Sequence, residues 1–251
     1  MALRTSPPRQ NTKGRAATAH ARPSPPLDRG IALLAGVGLL LIAALGAFGY
    51  IGVVEGLVTD GDAARTAADI SDSRRLFALG VSALYVAALL DVVVAWALLR
   101  FFEPVHGSLA RLSAYLRIAY AAAFLVAISQ LAGVPGVLER GAGAFSTEQV
   151  QAQALASVES FHDMWFASLV LFGAHLAVLG LLMLSTSAPR TFGVLLVVAG
   201  GGYVFDTFHA LLRPDTTMTV SVVTFLGEFL LAVWLVARGG RAVAEGRRNE
   251  S

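Results

Sequence analysis

Cysteine is absent from the sequence of 251 residues, and lysine nearly so, with one Lys against eighteen Arg. Without cysteine the chain forms no disulfide, no thiolate metal site and no cysteine nucleophile. Charged residues of any kind are scarce, at 14% of the chain against about 25% in ordinary soluble domains. The net charge of only +2 gives no support to a nucleic-acid partner, and we expect none.

Catalytic motifs are missing as well. The sequence has no HExxH motif, no two histidines at positions i and i+4, no phosphate-binding loop and no dinucleotide-binding fingerprint. Ser129 and Thr191 have no evident general base beside them. We therefore expect no cofactor, and a non-enzymatic role is better supported than an enzymatic one.

Apolar side chains are abundant, at 56% of the sequence, and they are gathered into long runs. A lipid bilayer can surround that much apolar surface, whereas one soluble core of this length cannot. Six runs are each close to the roughly 20 residues that cross a bilayer. We predict an all-α integral membrane bundle of six transmembrane helices in one domain, residues 30–238. The predicted spans are Ile31–Leu57, Leu76–Leu99, Ala114–Val134, Glu159–Ser185, Phe192–Leu212 and Val220–Ala237.

The flanking segments give the orientation. Residues 1–29 are rich in Pro and Arg without apolar periodicity, which predicts a disordered tail, and residues 239–251 form a short basic tail. The tails and the two loops on their side hold thirteen Arg and Lys residues, against five on the other side. Positive residues favour the cytoplasmic face, so we expect both termini in the cytoplasm. Trp96, Trp165 and Trp234 lie near predicted span edges, as in an aromatic belt.

Local signals predict the helix ends and one close contact. Pro104 and Pro135 are expected in gaps between helices, and 135–158 is expected to be the longest loop, resting on the outer leaflet. Ser146 and Gln149 fit a capping box, so the fourth helix is expected to begin outside the membrane. The pattern from Gly52 to Gly56 predicts a close approach of two helices.

Polar residues inside the predicted spans are the candidates for function. Counting about 1.5 Å per residue from the span ends places Asp91, His175 and Glu228 at one level near the midplane. Arg117 lies nearer the inner face, within reach of Asp91, and Asp206 lies nearer the outside. Ionisable residues at such depth need partners. The simplest interpretation of Asp91 and Arg117 is therefore an ion pair that holds two helices in register, and that of His175 is a hydrogen bond between helices.

Three functions remain open. The first is a non-enzymatic protein that binds a lipid, a small apolar ligand or a partner through these midplane residues. The second is a small secondary transporter in which Asp91 or Glu228 carries a proton. The third is a membrane-embedded metal hydrolase that uses His175, Asp206 and Glu228. A homo-oligomer is compatible with each of them.

The chain resembles a bacterial membrane family catalogued as domain of unknown function 4386. The order and spacing of many short matches carry this resemblance, over about residues 30–240. The matches are Leu76–Gly80, Leu90–Asp91, Phe102–Val105, Leu109–Arg111, Phe172–Leu176, Gly180, Ser187, Pro189–Arg190, Gly193, Gly202–Tyr203, Asp206, Gly227–Glu228 and Trp234–Leu235. The resemblance implies a six-helix protein of the bacterial inner membrane and brings no activity. It also favours His175, Asp206 and Glu228, which fall on the family pattern.

Overall fold

The computed structural model describes residues 29–141, 143, 145–186, 188–212 and 221–238, and these residues are helical apart from short connections. The helices are α1 (Arg29–Leu57), α2 (Ala63–Asp72), α3 (Arg74–Gly141), α4 (Thr147–Leu184), α5 (Arg190–Leu212) and α6 (Ser221–Arg238). The predicted all-α class is confirmed. Both predicted tails lie outside the described residues, except for Arg29, which begins α1.

The first helix contains a wide turn and is tied to the end of the last helix. Within α1 the segment Ala47–Val54 is π-helical. At the start of α1 the Arg29 guanidinium donates to the carbonyl oxygen of Val236 at 2.7 Å. The last carbonyls of a helix lack partners within the helix, so this side chain satisfies part of the C-terminal end of α6. The beginning of α1 and the end of α6 therefore lie side by side.

Two of the predicted spans belong to one helical run, α3, which folds back on itself. His106 has non-helical angles, φ −156° and ψ 92°, and divides α3 into α3a (74–105) and α3b (107–141). Arg74 at the start of the run forms an ion pair with Glu139 near its end. In a straight helix these residues would lie roughly 100 Å apart. The two arms of α3 are therefore antiparallel neighbours.

Two predictions about the helix ends are wrong. Pro104 and Pro135 both lie within the helical run of α3, and only the former is close to the bend. The expected long loop from residue 135 is mostly helix, because α3 continues to Gly141 and α4 begins at Thr147. Proline is tolerated inside a membrane helix where neighbouring groups satisfy the freed carbonyl.

Capping residues explain where two of the helices, α4 and α2, begin. The predicted capping box of α4 is confirmed: Gln149 N–H donates to Ser146 Oγ at 3.3 Å, and Ser146 N–H donates to Gln149 Oε1 at 3.0 Å. The sequence interpretation missed α2. Its N-cap, Asp62, accepts a hydrogen bond from Arg65 N–H at 2.9 Å, as Asp does at many helix starts.

The helices close into a ring. Helix α1 packs against α3 and α6, α3 against α4, α4 against α5, and α5 against α6. Small residues allow the closest approaches; a Cβ built on Gly36 of α1 would lie 2.9 Å from the Ala232 carbonyl oxygen of α6. The outward faces are apolar, with Leu79, Leu89 and Val198 each about 60% exposed. Exposed apolar surface of this extent is typical of a protein surrounded by lipid.

Among the described residues, four helices are long and apolar enough to cross a membrane: Arg29–Leu57, Arg74–Glu139, Thr147–Leu184 and Arg190–His209. A shorter apolar helix, Gly227–Ala237, is part of α6. These helices indicate a membrane protein whose described residues are helical apart from short connections.

Candidate functional site

Arg117 of α3b joins three helical segments in the interior of the bundle. Its side chain is only 1% exposed. Nη2 lies 2.5 Å from Asp91 Oδ1 of α3a, so the predicted contact between these residues is present. Nη1 donates a hydrogen bond to Glu228 Oε1 of α6 at 2.9 Å. The Asp91 contact is an ion pair without hydrogen-bond geometry, since its Oδ1 has no hydrogen-bond partner.

His175 of α4 brings a fourth segment to the cluster. Its Nε2 lies 3.1 Å from Arg117 Nη1, and its Nδ1 lies 2.9 Å from both the carbonyl oxygen and the hydroxyl of Ser113. A guanidinium only donates hydrogen bonds, so Nε2 must accept and the ring proton belongs on Nδ1. Nδ1–H then donates to the Ser113 carbonyl oxygen. His175 is therefore neutral in this arrangement, with both ring nitrogens engaged.

The charges of this cluster do not balance. Asp91 and Glu228 are two carboxyl groups around the single guanidinium of Arg117, and His175 adds no charge. With both carboxyl groups ionised, the cluster has one negative charge in excess. An excess charge is expensive inside a bundle, where the dielectric constant is low. A proton or a bound cation would restore the balance.

A cavity of about 400 Å³ lies beside the cluster and is shared by α1, α3, α4, α5 and α6. Its charged lining consists of Asp91, Arg117 and Glu228, and because these side chains touch one another, the charge is confined to one region. The remaining lining residues are a glycine and residues with apolar or aromatic side chains. These residues are Leu39, Leu40, Ile42, Ala43, Gly46, Ala47, Tyr50, Ile51, Leu84, Ala87, Tyr120, Phe124, Trp165, Leu169, Phe172, Tyr203, Phe229 and Ala232.

Aromatic rings form much of the cavity wall and hold one another in place. Trp165 Nε1–H donates to the Tyr120 hydroxyl at 3.1 Å. The Tyr50 ring meets the Trp165 ring edge-on at 4.7 Å, and Tyr120 packs 4.8 Å from Phe172. Trp165 faces inward, so its interpretation as a residue of the aromatic belt is wrong. The rings fix the shape of a site that is largely preformed.

The π-helical segment of α1 forms one side of the cavity. Ala47, Tyr50 and Ile51 of this segment are lining residues. π-Helical turns inside α-helices are rare and are frequently found at functional sites. Ile51 is 66% exposed and Phe229 of α6 is 44% exposed, so the cavity extends to the apolar surface of the bundle.

The structure brings four of the five predicted site residues together. Asp91, Arg117, His175 and Glu228 form the cluster described above. Asp206 lies on α5 at a half-buried position, outside the cavity lining. The sequence interpretation did not select the aromatic wall. A signal was present, because Tyr120 and Phe124 follow Arg117 by three and seven residues and so share its helix face.

A second polar contact lies at the outer end of the bundle. His162 Nε2 of α4 is 3.4 Å from Glu55 Oε1 of α1. Within the described ranges, no group of three or more His, Cys, Asp or Glu side chains is arranged to hold a metal ion. His175, Asp206 and Glu228 therefore do not form the ligand set that a metal hydrolase needs.

Sequence comparisons relate the chain to a family and to a protein that are both uncharacterised. The sequence profile of a family described as "Domain of unknown function (DUF4386)" matches residues 34–239. An uncharacterised protein of Archaeoglobus fulgidus is 28% identical over 158 residues, which cover 62% of this chain and 81% of that protein. No solved structure matches the chain.

Proposed function

The chain belongs to the family of the domain of unknown function DUF4386, and from that premise we propose that it is a non-enzymatic membrane protein that binds an amphipathic ligand. The ligand is a lipid or another small apolar molecule that carries a polar group. The observation that carries this proposal is the cavity of about 400 Å³ with apolar walls and one charged region. Small-molecule sites usually measure about 300–1,000 Å³ and combine apolar walls with a few polar groups.

The lining matches the two parts of such a ligand. An apolar body would lie against Leu39, Leu84 and Phe124, and a polar group would reach Arg117 and Glu228. Exposed lining residues on α1 and α6 support entry from the side, through the apolar surface. This route suits a molecule that is already dissolved in the bilayer.

The proposal includes six membrane spans. Helix α3 is about 100 Å long if laid straight, roughly three times the hydrocarbon thickness, and its two antiparallel arms suit one span each. The apolar part of α6, Gly227–Ala237, supports a sixth span. The contact from Arg29 to Val236 supports termini on one side of the membrane. The distribution of arginine favours the cytoplasm for that side, with the inner membrane of a bacterial cell as the location.

Native mass spectrometry of the purified protein tests the proposal. We expect a discrete added mass of one lipid or small molecule per chain. Ala43 lines the cavity and Ala44 beside it is exposed, so Ala43→Phe and Ala44→Phe form a matched pair. Ala43→Phe should lose the added mass and Ala44→Phe should retain it. A bare chain mass in the parent, or equal retention by both variants, would contradict the proposal. The same spectrum reports whether the chain forms a homo-oligomer.

A proton-coupled secondary transporter is the second candidate. Two carboxyl groups share one guanidinium inside the bundle, so one of them can take up and release a proton while the other keeps the ion pair. The alternative predicts flux that depends on a pH gradient in proteoliposomes and disappears in Glu228→Gln. Absence of such flux across a broad substrate panel would remove this candidate. The metal hydrolase is not proposed, because both nitrogens of His175 are engaged.

A further inference from the structure

We infer that the ligand of the cavity carries an ammonium group on an apolar body, and that it places this cation between Glu228, Asp91 and the neighbouring tyrosines. The inference rests on the proposed binding function and names the chemical class of the ligand. It depends on three features that meet in one region: a carboxylate in excess of the available guanidinium charge, a second carboxylate whose Oδ1 contacts Arg117 without a hydrogen bond, and a wall of aromatic rings.

The charge balance favours a cation over an anion. Arg117 already contacts Asp91, Glu228 and His175, so its outer nitrogens are engaged. An anionic group entering this region would be repelled by the two carboxyl groups. The guanidinium of Arg117 would offer it little, because its outer nitrogens already contact other groups. A cationic group would neutralise the excess negative charge. Both carboxyl groups could then remain ionised inside the bundle, where an unbalanced charge is unfavourable.

Two carboxylates belong to the cavity lining and could accept from the cation. Asp91 is almost fully buried, and its Oδ1 is 2.5 Å from Arg117 Nη2 without forming a hydrogen bond. The Glu228 side chain is 18% exposed, more than those of Asp91 and Arg117 at 4% and 1%. An ammonium group has up to three N–H donors and no acceptor, which suits a site with two carboxylates.

Aromatic rings stand beside the same region. Arg117 lies 5.5 Å from the centre of the Phe172 ring, so that ring already contacts a cation. Tyr120 and Tyr203 pack 4.8 Å and 5.6 Å from Phe172 and line the cavity. A cation is attracted to the face of an aromatic ring, and more strongly where water is excluded. The rings thus favour a cationic group without adding another charge.

The test compares three probes of equal chain length and different head groups: octylammonium, octanol and octanoate. Trp165 lines the cavity, and its fluorescence in a Trp96→Phe/Trp234→Phe background reports occupancy. The protein is held in nanodiscs of zwitterionic phosphatidylcholine, so that the lipid attracts neither charge. We expect saturable binding of octylammonium at lower concentration than octanol, and weaker binding of octanoate.

Two charge-neutralising variants separate the site from the surface. Glu228→Gln keeps an oxygen that accepts from Arg117 and removes the excess charge, so octylammonium should bind about tenfold more weakly and octanol unchanged. Glu103→Gln removes an exposed surface carboxylate and should leave all three probes unchanged.

Each other result overturns the inference. Equal binding of octylammonium and octanol would mean that a proton already balances the charge, and the cavity would remain a binding site for neutral molecules. Preference for octanoate would assign the region to an anion. Failure of all three probes to bind would also overturn it, and the native spectrum then decides separately whether the cavity holds any ligand.

Discussion

Arg117 contacts more charged and polar side chains than any other residue of the described cluster. It is almost fully buried, contacts two carboxyl groups and one imidazole, and leaves its Nε without a hydrogen-bond partner. Removing one partner of a buried ion pair leaves the other partner as an uncompensated charge. In this cluster the loss of the guanidinium would leave Asp91 and Glu228 without their shared cation.

The first prediction follows from this arrangement. Arg117→Leu should lower the free energy of unfolding by about 3–5 kcal/mol, because two buried carboxyl groups lose their counterion. The variant should give poor yield from the membrane, and its thermal unfolding in detergent should begin at a clearly lower temperature than that of the parent.

Neutral replacements at the partners provide the control. Combining Arg117→Leu with Asp91→Asn and Glu228→Gln removes all the charge and should recover most of the lost stability, since buried ion pairs often add little over neutral packing. If Arg117→Leu alone were as stable as the parent, the cluster would not hold the helices together. If the triple variant were less stable than Arg117→Leu, polar contacts other than charge would dominate.

Residue depth could be predicted from the sequence, whereas rotation about the helix axes could not. Counting from the span ends brought Asp91, His175 and Glu228 to one level, and the structure joins them through Arg117. Counting says nothing about which way each helix faces. For the same reason Trp165 was interpreted as facing the membrane edge, although it lines the cavity.

At the scale of elements, α4 and α5 are held together by glycines. A Cβ built on Gly173 of α4 would lie 2.6 Å from the Gly200 carbonyl oxygen of α5, and one on Gly180 would lie 2.7 Å from the Gly193 carbonyl oxygen. The two contacts are seven residues apart on each helix, which is two turns. Small residues at this spacing let two helices approach at backbone distance, which is a main source of helix association in membranes.

The second prediction concerns this seam. In Gly200→Ala the added methyl group would lie 2.6 Å from the Ala177 backbone nitrogen, so α4 and α5 must move apart. We expect a loss of about 1–3 kcal/mol in the free energy of unfolding. The cavity lining from Tyr203, one turn further along α5, should shift with the helix. A lower unfolding temperature together with weaker ligand retention would support this expectation.

The next residue serves as the matched control. A Cβ on Gly201 meets nothing within 4 Å. Gly201→Ala should therefore leave stability unchanged or raise it by about 0.5–1 kcal/mol, because alanine is the better helix former. Equal effects of Gly200→Ala and Gly201→Ala would show that helix propensity, and not the contact with α4, governs this segment.

Some local features of the helices were predicted correctly from the sequence and others were not, for physical reasons. The capping box is a local signal from two residues within a stretch of four, Ser146 and Gln149, and it placed the start of α4 correctly. Pro135 and the pair Gly52 and Gly56 depend on what surrounds them. Pro135 is accommodated inside α3, and a Cβ on Gly52 or Gly56 would meet no other helix in the part of the chain that the structure describes, so the two glycines mark no close approach within it. Tertiary context decides such positions.

At the scale of the whole molecule, the folded hairpin of α3 links the interior cluster to the path of the chain through the membrane. Asp91 and Arg117 lie on opposite arms, and each arm must cross the bilayer if their contact is to lie at depth. The bend near His106 would then be at the inner face and the start of α4 at the outer face. This arrangement would fit the proposed six spans with both termini in the cytoplasm, whereas a helix α3 that crossed only once would leave one of its two antiparallel arms outside the bilayer.

The third prediction tests this path with single cysteines, which give an unambiguous label because the chain has none of its own. Ser108 beside the bend of α3 and Thr147 at the start of α4 are both exposed. In intact cells a membrane-impermeant maleimide should label Thr147→Cys and leave Ser108→Cys unlabelled, and permeabilised cells should show both. Ser251→Cys should behave like Ser108→Cys, because the arginine residues near that end favour the cytoplasmic side. Labelling of Ser108→Cys but not of Thr147→Cys in intact cells would reverse the orientation. Labelling of both would mean that α3 does not cross the membrane twice, and the buried charged cluster would then lie outside the hydrocarbon layer.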